Sequence, residues 1–372
     1  ARRRVLRGAR WQEPGRAARR RLRRRGARDG GHAQRRARAG ALGARVDGRA
    51  RAQQGLADGQ VAAAGGNVEG QQPCRVVQAL RRGGNAVDAA LAAAITLTVV
   101  EPNNNGLGSD AFALLWDGQE VVGLNASGRA PAAWTLDRFA GLERMPEQGW
   151  DSVTVPGAVS GWVALSTRYG KLPFEALFES AIHYAKHGFL VGPKSAFYWQ
   201  LLEHFYDDYP DWYAHFGPAP KAGERFKRPD MVGSLQAIRD SKGEAFYRGE
   251  LGAAMVAAST QAGGVLTRED LANHTCDWVT PIRQSYRGVE LLEIPPNGQG
   301  LAAQIALGIL GYLPAAELDS VALIHQQIEA MKIAVHAANE HFADERAMYL
   351  TPEQLLAPHR HGFFTSPTLS SW

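Results

Sequence analysis

The chain has 372 residues, of which 45% are hydrophobic and 21% charged, enough for a substantial core in one large layered domain or in two domains. Its formal charge of +5 is unevenly distributed, because residues 1–51 carry +16 with nineteen Arg and no Lys, so the remainder carries −11. No apolar run is long enough to span a membrane, and Cys74 and Cys276 have the spacing of neither a disulfide framework nor a metal site.

Residues 1–72 consist mainly of Arg, Ala, Gly and Gln, so we predict that they bury too little apolar surface to fold. Three interpretations stay open: a basic arm for nucleic acid, a solvated tail, and a segment outside the native reading frame. The first is the least favoured, because Trp11 is the only aromatic residue available for stacking. The third is favoured, because Arg without Lys, together with Ala and Gly, is what a GC-rich gene yields out of frame.

The N-terminal region also bears on the compartment. It lacks the apolar core of a secretory signal, and the absence of Ser from residues 1–72 argues against a transit peptide. The localisation is therefore left open, with the cytoplasm as the default expectation.

Residues 83–112 (GGNAVDAALAAAITLTVVEPNNNGLGSDAF) predict a buried helix followed by a tight, glycine-containing turn. A Gly pair can end a preceding helix, Asn85 is a good N-cap, and Asp88 places an acid in the first turn. The segment Ala86–Val100 is apolar on all sides, which is typical of a helix inside a layered domain.

A hairpin is predicted next. Residues 112–116 and 120–124 are apolar runs separated by Asp117-Gly118, a two-residue turn signal. The second strand delivers residues 125–131 (NASGRAP) to one end of a sheet, a place where loops commonly form sites.

The central part of the chain is predicted to be mainly helical, from its Gly, Pro and capping signals. The predicted helices cover residues 157–170, 173–188, 234–239 and 245–262, and a capping pattern of Thr267 with Asp270 begins a short one. Nine aromatic residues between 197 and 216 are interpreted as the internal packing of a helical lobe, with a ligand groove as the alternative.

Towards the C-terminus, a strand over 288–294, a tight loop (PPNGQG, 295–300) and a helix over 301–310 are predicted. A last helix over 321–350 has apolar residues at alternating steps of three and four, which indicates a seam against the core. The seam consists of Val321, Ile324, Ile328, Met331, Val335, Ala338 and Phe342. His325, His336 and His341 lack the spacing of a metal site, and no phosphate-binding GxxxxGK occurs, so we expect no metal and no cofactor.

Seven motifs occur in a fixed order along the chain. The GGNAVDAA helix is followed by VPGAVSGW (155–162), YGKLPF (169–174), GEAFYRG (243–249), GGVLTREDLANH (263–274), YRG (286–288) and EAMKIA (329–334). In this order they resemble the large subunit of the gamma-glutamyltransferase family. The resemblance implies an α+β fold, the Ntn-hydrolase αββα sandwich, for residues 73–356, with a helical lobe over about 157–285 and an unmatched tail at 357–372.

The resemblance also implies a chemistry. Members of the family are precursors that cut themselves before an internal Thr, whose hydroxyl then attacks a gamma-glutamyl amide while the freed α-amino group acts as base. That Thr begins the small subunit. In this chain Thr365 lies in the tail with only seven residues after it, too few for the strands of a second half, so we assign no catalytic residue here.

Three departures concern the substrate. Gamma-glutamyl-specific members have an Arg three residues before an Ala-Pro that grips the substrate α-carboxylate; here Ser127 holds that position and Arg129 follows two residues later. The first loop reads GLGSD where those members have more glycine, and the second reads PPNGQG where they have PPPSSGG. All three resemble the branch of gamma-glutamyltransferase-like proteins and cephalosporin-acylase relatives. Asn125, Ser127 and Arg129 are the candidate substrate-binding residues, and Arg129 is equally compatible with pairing to a structural carboxylate.

The resemblance therefore predicts an acyl transferase or hydrolase for gamma-glutamyl, glutathione-like or related acyl amides, with this chain inactive by itself. Its expected partners are a small-molecule substrate and the small subunit of the same precursor, without a membrane and without nucleic acid. The alternatives are an inactive fragment, a non-catalytic binding chain that uses the basic arm, and a scaffold for a separately encoded small subunit.

Overall fold

The computed structural model describes residues 75–206 and 208–357. Its first half contains the elements α1 (Arg75–Arg81), α2 (Ala86–Val100), β1 (Ala111–Trp116), β2 (Val121–Ala126), α3 (Ala158–Tyr169), α4 (Glu179–His187), β3 (Phe189–Leu190), α5 (Pro193–Phe205), α6 (Pro210–Phe216) and β4 (Arg225–Phe226). The second half contains α7 (Pro229–Ser241), α8 (Glu244–Tyr247), α9 (Glu250–Gln261), α10 (Arg268–Ala272), β5 (Asp277–Val279), β6 (Ile282–Tyr286), β7 (Val289–Glu293), α11 (Gly300–Tyr312), α12 (Val321–His341) and α13 (Pro352–Leu355). The hypotheses for residues 1–72, Cys74 and Thr365 lie outside the described residues.

Helix α2 has the bounds that its sequence predicts. The Asn85 side chain accepts hydrogen bonds from the backbone N–H groups of Val87 and Asp88, and the Asp88 carboxylate accepts one from Asn85, which forms a reciprocal capping box. Eight of its fifteen residues are buried, so the helix packs on more than one side, although not on all.

Asp88 also ties α2 to a distant loop. Its side chain is fully buried and accepts hydrogen bonds from the backbone N–H groups of Lys171 (3.0 Å) and Leu172 (3.3 Å), besides that of Asn85 (2.8 Å). The carboxylate thus fixes the YGKLPF segment against the start of the helix, which explains an acid in an otherwise apolar element.

The predicted hairpin is present, with its turn displaced by one residue. Asp117 N–H donates to the Glu120 carbonyl at 3.1 Å, so Gly118 and Gln119 occupy the centre, and Gly118 has a φ of 107°. The Asp117 side chain supports this turn by accepting from the N–H groups of Gln119 and Glu120. Strand β2 continues the pairing with β5, so the sheet order is β1-β2-β5.

Helix α3 covers one face of this sheet at very short range. A Cβ at Gly161 would lie 2.7 Å from the Ala126 Cβ, so glycine is needed where the helix meets β2. Ala111 and Leu115 of β1 also pack into the core on this side. The opposite face of β1 is uncovered: Phe112, Leu114 and Trp116 alternate with half-buried positions and are exposed, Trp116 to 63%.

The second layer combines β6, β7, α11 and α12. The strands form an antiparallel pair, and the buried Gln304 of α11 donates to the carbonyls of Ile282 (3.0 Å) and Leu291 (3.1 Å), one on each strand. Helices α11 and α12 pack side by side, with Ala330, Ala334 and Ala337 of α12 buried between them.

The long C-terminal helix differs from its prediction in two respects. It ends at His341, because Asp344 accepts a hydrogen bond from Arg346 N–H and starts a separate turn over Glu345–Ala347. Most of the seam predicted to face the core faces outward instead, and Val321 is 84% exposed. Only its last two members, Ala338 and Phe342, are half-buried and pack against the core. Its other exposed large members are Ile324, Ile328, Met331 and Val335. The Ala stripe makes the helix contact, and the larger side chains lie on a different face.

The helical lobe packs its own aromatic residues together. Trp199 is fully buried, its indole N–H donates to the Phe216 carbonyl at 3.0 Å, and its ring meets those of Phe216 and Phe226 edge to face. Trp212 stacks between Tyr206 and Phe216. These contacts favour internal packing over the ligand groove. No helix among the described residues is long and apolar enough to cross a membrane.

Candidate functional site

The loop that follows β2 is held against the segment before α3 by close backbone contacts. Val155 N–H donates to the Arg129 carbonyl at 2.9 Å. A Cβ at Gly128 would lie 1.3 Å from the Val155 carbonyl oxygen, and one at Gly157 would lie 2.0 Å from that of Ala126. The VPG motif and the NASGRAP loop therefore fix each other, and both depend on glycine.

Asn125 and Ser127 form a hydrogen-bonded cluster with a residue of the PPNGQG loop. The Asn125 Oδ1 accepts from the Ser127 N–H (3.0 Å) and hydroxyl (2.7 Å), while its Nδ2 donates to the Asn297 Oδ1 at 3.0 Å. The Ser127 hydroxyl also lies 3.1 Å from that oxygen. Two segments separated by about 170 residues, both singled out by their sequence, thus meet in one place.

Arg129 lies beside this cluster and pairs with a carboxylate. Its Nη2 donates to the Asp277 Oδ2 at 2.9 Å, and its Nη1 is 3.4 Å from the Thr275 carbonyl oxygen. Asp277 is aligned with Asn125 by the β2–β5 register. Both partners of the ion pair remain solvent-accessible, with 36% of the Arg129 side chain and 55% of the Asp277 side chain exposed.

These residues line a cavity of about 390 Å³, so the structure brings together all three candidate substrate-binding residues. The wall also contains residues that were not predicted, from β5, the PPNGQG loop and the turn after α12. They are Asp277, Asn297, Asp344, Glu345 and Arg346. Sequence reasoning missed the last three because it continued α12 through them.

Charges on the turn after α12 are organised around Arg346. Its Nε donates to the Asp344 Oδ1 at 2.8 Å, and this hydrogen bond holds the pKa of the Asp344 carboxyl below its usual value, with a smaller contribution from Arg129. Burial, with the charges of Glu353 and Asp344, raises the pKa of Glu345 above its usual value. The hydrogen bond to Asp344 raises the pKa of Arg346, with a smaller contribution from the nearby Asp277.

A second cavity, of about 570 Å³, shares Arg129 and Ala130 with the first and is bounded by His274. His274 is 7% exposed, and burial lowers its pKa to about 4, so the imidazole is neutral at neutral pH. Its Nε2 is 2.9 Å from the Ser160 hydroxyl oxygen, and its ring stacks on Tyr247.

The Ser160–His274 contact has a structural explanation. The Ser160 hydroxyl lies 2.7 Å from the Gly157 carbonyl and can donate to it, and Ser160 lines neither cavity. Tyr247 donates from its hydroxyl to the Pro156 carbonyl at 2.8 Å and accepts from the Ser160 N–H, and burial raises its pKa to about 12. This cluster therefore positions the VPG segment under the site loop.

The site geometry suits binding more than bond cleavage. Ser127 is bonded to Asn125 and Asn297, neither of which can act as a base, so its hydroxyl is not activated as a nucleophile. Arg129, Arg346 and Asn297 offer donors to a carboxylate, and the acidic side chains offer acceptors to an ammonium group. The cavity can thus recognise a small polar molecule.

A family model described as gamma-glutamyltranspeptidase matches residues 76–362. The glutathione hydrolase-like YwrD proenzyme of Bacillus subtilis (strain 168) is 33% identical over 279 residues, which cover 73% of this chain and 52% of that protein. The oxamate amidohydrolase proenzyme of Klebsiella pneumoniae is 32% identical over 291 residues, covering 75% of this chain and 55% of that protein. The chain therefore spans about half the length of these relatives.

Among solved structures, cephalosporin acylase from Bacillus halodurans has a TM-score of 0.75 and 37% identity, and the match covers 82% of this chain and 62% of that one. This likeness confirms the fold expected from the sequence, an α+β fold of the Ntn-hydrolase type. The family match, the two relatives and the fold agree with the ordered motifs and with the loops that they build. The chain belongs to the gamma-glutamyltranspeptidase family.

Proposed function

We propose that this chain is the substrate-recognising half of an acyl transferase or hydrolase that acts on gamma-glutamyl or related acyl amides. The observation that carries the proposal is the convergence of Asn125, Ser127 and Arg129 in one polar cavity, next to Asn297. A guanidinium group with accessible N–H donors suits the carboxylate of such an acyl group. In this proposal the cavity binds the acyl group, and a Thr outside this chain supplies the nucleophile.

The relatives support this assignment of chemistry. Their names describe a glutathione hydrolase-like proenzyme and an oxamate amidohydrolase proenzyme, and both substrates contain an amide and a carboxylate. An acyl amide with a carboxylate is therefore the substrate class that we assign to the cavity.

The exposed apolar faces of β1 and α12 support the proposal that this chain binds a partner subunit. Phe112, Leu114 and Trp116 leave one face of β1 uncovered, and the outward seam of α12 is also exposed. A cluster of exposed large apolar side chains is typical of a protein–protein interface. We propose that strands of a small subunit extend the β1-β2-β5 sheet and the β6–β7 sheet and pack between them. The same subunit covers the outward seam of α12. Together the two subunits form an αββα sandwich.

The proposal predicts that the chain binds L-glutamine and that Arg129 is needed for this binding. In saturation-transfer NMR with the full chain, Arg129→Met should weaken L-glutamine binding by about tenfold or more, because it removes a charge-assisted pair while retaining an apolar stem of similar length. Arg283→Met is the matched control, since Arg283 pairs with Glu290 on the β6–β7 sheet at 2.7 Å. Equal binding by Arg129→Met and the wild type would reject the assigned site.

A further inference from the structure

Asn297 combines a position in the wall of the first cavity with a chemically unstable sequence. It is followed by Gly298, and the chain contains two such Asn-Gly pairs, at 105–106 and at 297–298. In such a pair the backbone nitrogen of Gly can attack the side-chain carbonyl carbon of Asn, because Gly has no Cβ to obstruct the approach. Both pairs lie outside helices and strands, so their surroundings can be compared directly.

The pair at 105–106 is held in place by hydrogen bonds. The Gly106 N–H donates to the Ser109 Oγ at 2.9 Å, so the attacking nitrogen is occupied. The Asn105 Nδ2 donates to the Glu101 Oε2 at 3.2 Å, and the Asn105 N–H donates to the Glu101 carbonyl at 3.0 Å. Attack on the Asn105 side chain therefore requires that these contacts break first.

The pair at 297–298 lacks this protection. Among the residues that the structure describes, the Gly298 N–H donates no hydrogen bond, and a Cβ on Gly298 would meet no atom within 4 Å. Asn297 is exposed to water, and within the same ranges its Nδ2, which would be the leaving group, has no hydrogen-bond partner. The attacking nitrogen and the leaving group are thus both unrestrained.

The contacts that Asn297 does make favour the attack. Its Oδ1 accepts a hydrogen bond from the Asn125 Nδ2 at 3.0 Å and lies 3.1 Å from the Ser127 hydroxyl oxygen. Attack on the side-chain carbonyl carbon places negative charge on this oxygen, and donors that already point at it stabilise that charge. The two residues that build the cavity wall beside Asn297 therefore also assist its modification.

We propose that Asn297 is a self-modification site, at which spontaneous deamidation lowers the affinity of the cavity for anionic acyl groups as the protein ages. The Gly298 nitrogen bonds to the Asn297 Cγ and loses its proton to solvent, while the Cγ–Nδ2 bond breaks and Nδ2 leaves as ammonia. Water then opens the cyclic imide to Asp or isoaspartate. The net change is the uptake of one water molecule and the loss of one ammonia molecule, with no other reactant.

The product places a carboxylate in a wall that is already acidic. The wall contains two arginines and three acids, which are Arg129, Arg346, Asp277, Asp344 and Glu345. With all five ionised, the wall carries one net negative charge, and deamidation raises this to two. An anionic group that approaches Arg129 then meets additional repulsion. This consequence rests on the proposed function, whereas the modification itself does not.

Peptide mapping by mass spectrometry tests the modification. The purified full chain is incubated at mildly alkaline pH, and the conversion of Asn297 and of Asn105 to Asp and isoaspartate is followed over several days. We expect Asn297 to convert about tenfold faster or more, because the pair at 105–106 must first lose its hydrogen bonds. Gly298→Ala should slow the conversion of Asn297 severalfold, because its Cβ obstructs the attack.

Ser109→Ala tests whether hydrogen bonding explains the difference between the two pairs. It removes the acceptor of the Gly106 N–H, so Asn105 should convert faster in this variant while Asn297 converts at the wild-type rate. Equal conversion of Asn105 and Asn297 in the wild type, or an unchanged rate at Asn297 in Gly298→Ala, would overturn the modification site. Neither result would bear on the proposed function.

Asn297→Asp, which carries the charge of the product, tests the effect on binding. The ligand is glutaramate, an anionic amide without an ammonium group, and its dissociation constant is measured by saturation-transfer NMR on the full chain. We expect Asn297→Asp to bind glutaramate about five- to tenfold more weakly than the wild type. Asn339→Asp is the matched control, because it adds the same charge at an exposed position of α12 that lines neither cavity, and it should bind like the wild type.

The binding result and the proposed function can fail separately. Equal affinity of Asn297→Asp and the wild type for glutaramate, or no binding of glutaramate by the wild type, would rule out the effect of deamidation on the cavity. The proposed function fails only if the wild type does not bind L-glutamine. The peptide map decides the modification of Asn297 in every case.

Discussion

Replacing Gly128 with Ala should unfold the site loop and lower the stability of the whole chain. The added Cβ would lie 1.3 Å from the Val155 carbonyl oxygen, and that carbonyl belongs to backbone that cannot move aside as a flexible side chain can. Moving either segment also breaks the hydrogen bond from Val155 N–H to the Arg129 carbonyl. We expect a loss of about 3 kcal/mol or more in the free energy of unfolding, measured by urea denaturation.

Gly298→Ala is the matched control for this substitution. Gly298 lies in the PPNGQG loop beside Asn297, its φ is not positive, and a Cβ there would meet no atom within 4 Å. We expect its stability to change by less than about 0.5 kcal/mol. If Gly128→Ala is as stable as Gly298→Ala, the NASGRAP loop and the VPG motif do not approach each other as closely as described.

Replacing Asp88 with Ala should lower the free energy of unfolding by a similar amount. Three backbone N–H groups, those of Asn85, Lys171 and Leu172, donate to the buried carboxylate and would lose their acceptor. Leaving these partly buried donors without an acceptor is costly, so we expect a loss of about 3 kcal/mol in the free energy of unfolding. Asp88→Asn keeps one acceptor oxygen, and its loss should be roughly half as large.

Asp211→Ala serves as the control for Asp88→Ala. Asp211 is also an acid in the first turn of a helix, but its side chain is exposed, so only its interaction with the helix dipole is lost. That change should be within about 1 kcal/mol. Equal losses for the two Ala variants, measured by thermal and urea unfolding, would show that Asp88 does not join α2 to the YGKLPF segment.

Local sequence signals were sufficient to predict the bounds of several helices. The bounds of α2 follow from an N-cap, a first-turn acid and a glycine pair, all within a few residues of Asn85. The capping box at Thr267 and Asp270 and the bounds of α3 could be predicted for the same reason. In both capping boxes the side chain that begins the helix bonds to backbone close to it in sequence, whereas the bounds of α3 follow from Gly157 and Gly170.

Burial could not be predicted where it depends on a partner. The spacing of Val321, Ile324 and Ile328 correctly places these residues on one face of α12, but spacing cannot tell which surface that face meets. The Ala residues at 330, 334 and 337 form the contact with α11, because small side chains let the two helices approach closely. The larger side chains are therefore left exposed.

The site was only partly predictable. Asn125, Ser127 and Arg129 lie close together in sequence, at the end of β2 and in the loop after it, so their proximity follows from sequence. Asp277 is 148 residues from Arg129 and reaches it only through strand pairing, which a single sequence does not specify. The two roles considered for Arg129 are compatible, because the carboxylate it pairs with is itself part of the cavity wall.

The most direct test of the central claim uses the purified chain with gamma-glutamyl p-nitroanilide. If the chain recognises the acyl group and a Thr outside it supplies the nucleophile, the sample should bind L-glutamine and release no p-nitroaniline above the rate without protein. Release that rises in proportion to the chain and disappears in Ser127→Ala or Ser160→Ala would place a nucleophile within this chain and contradict the account.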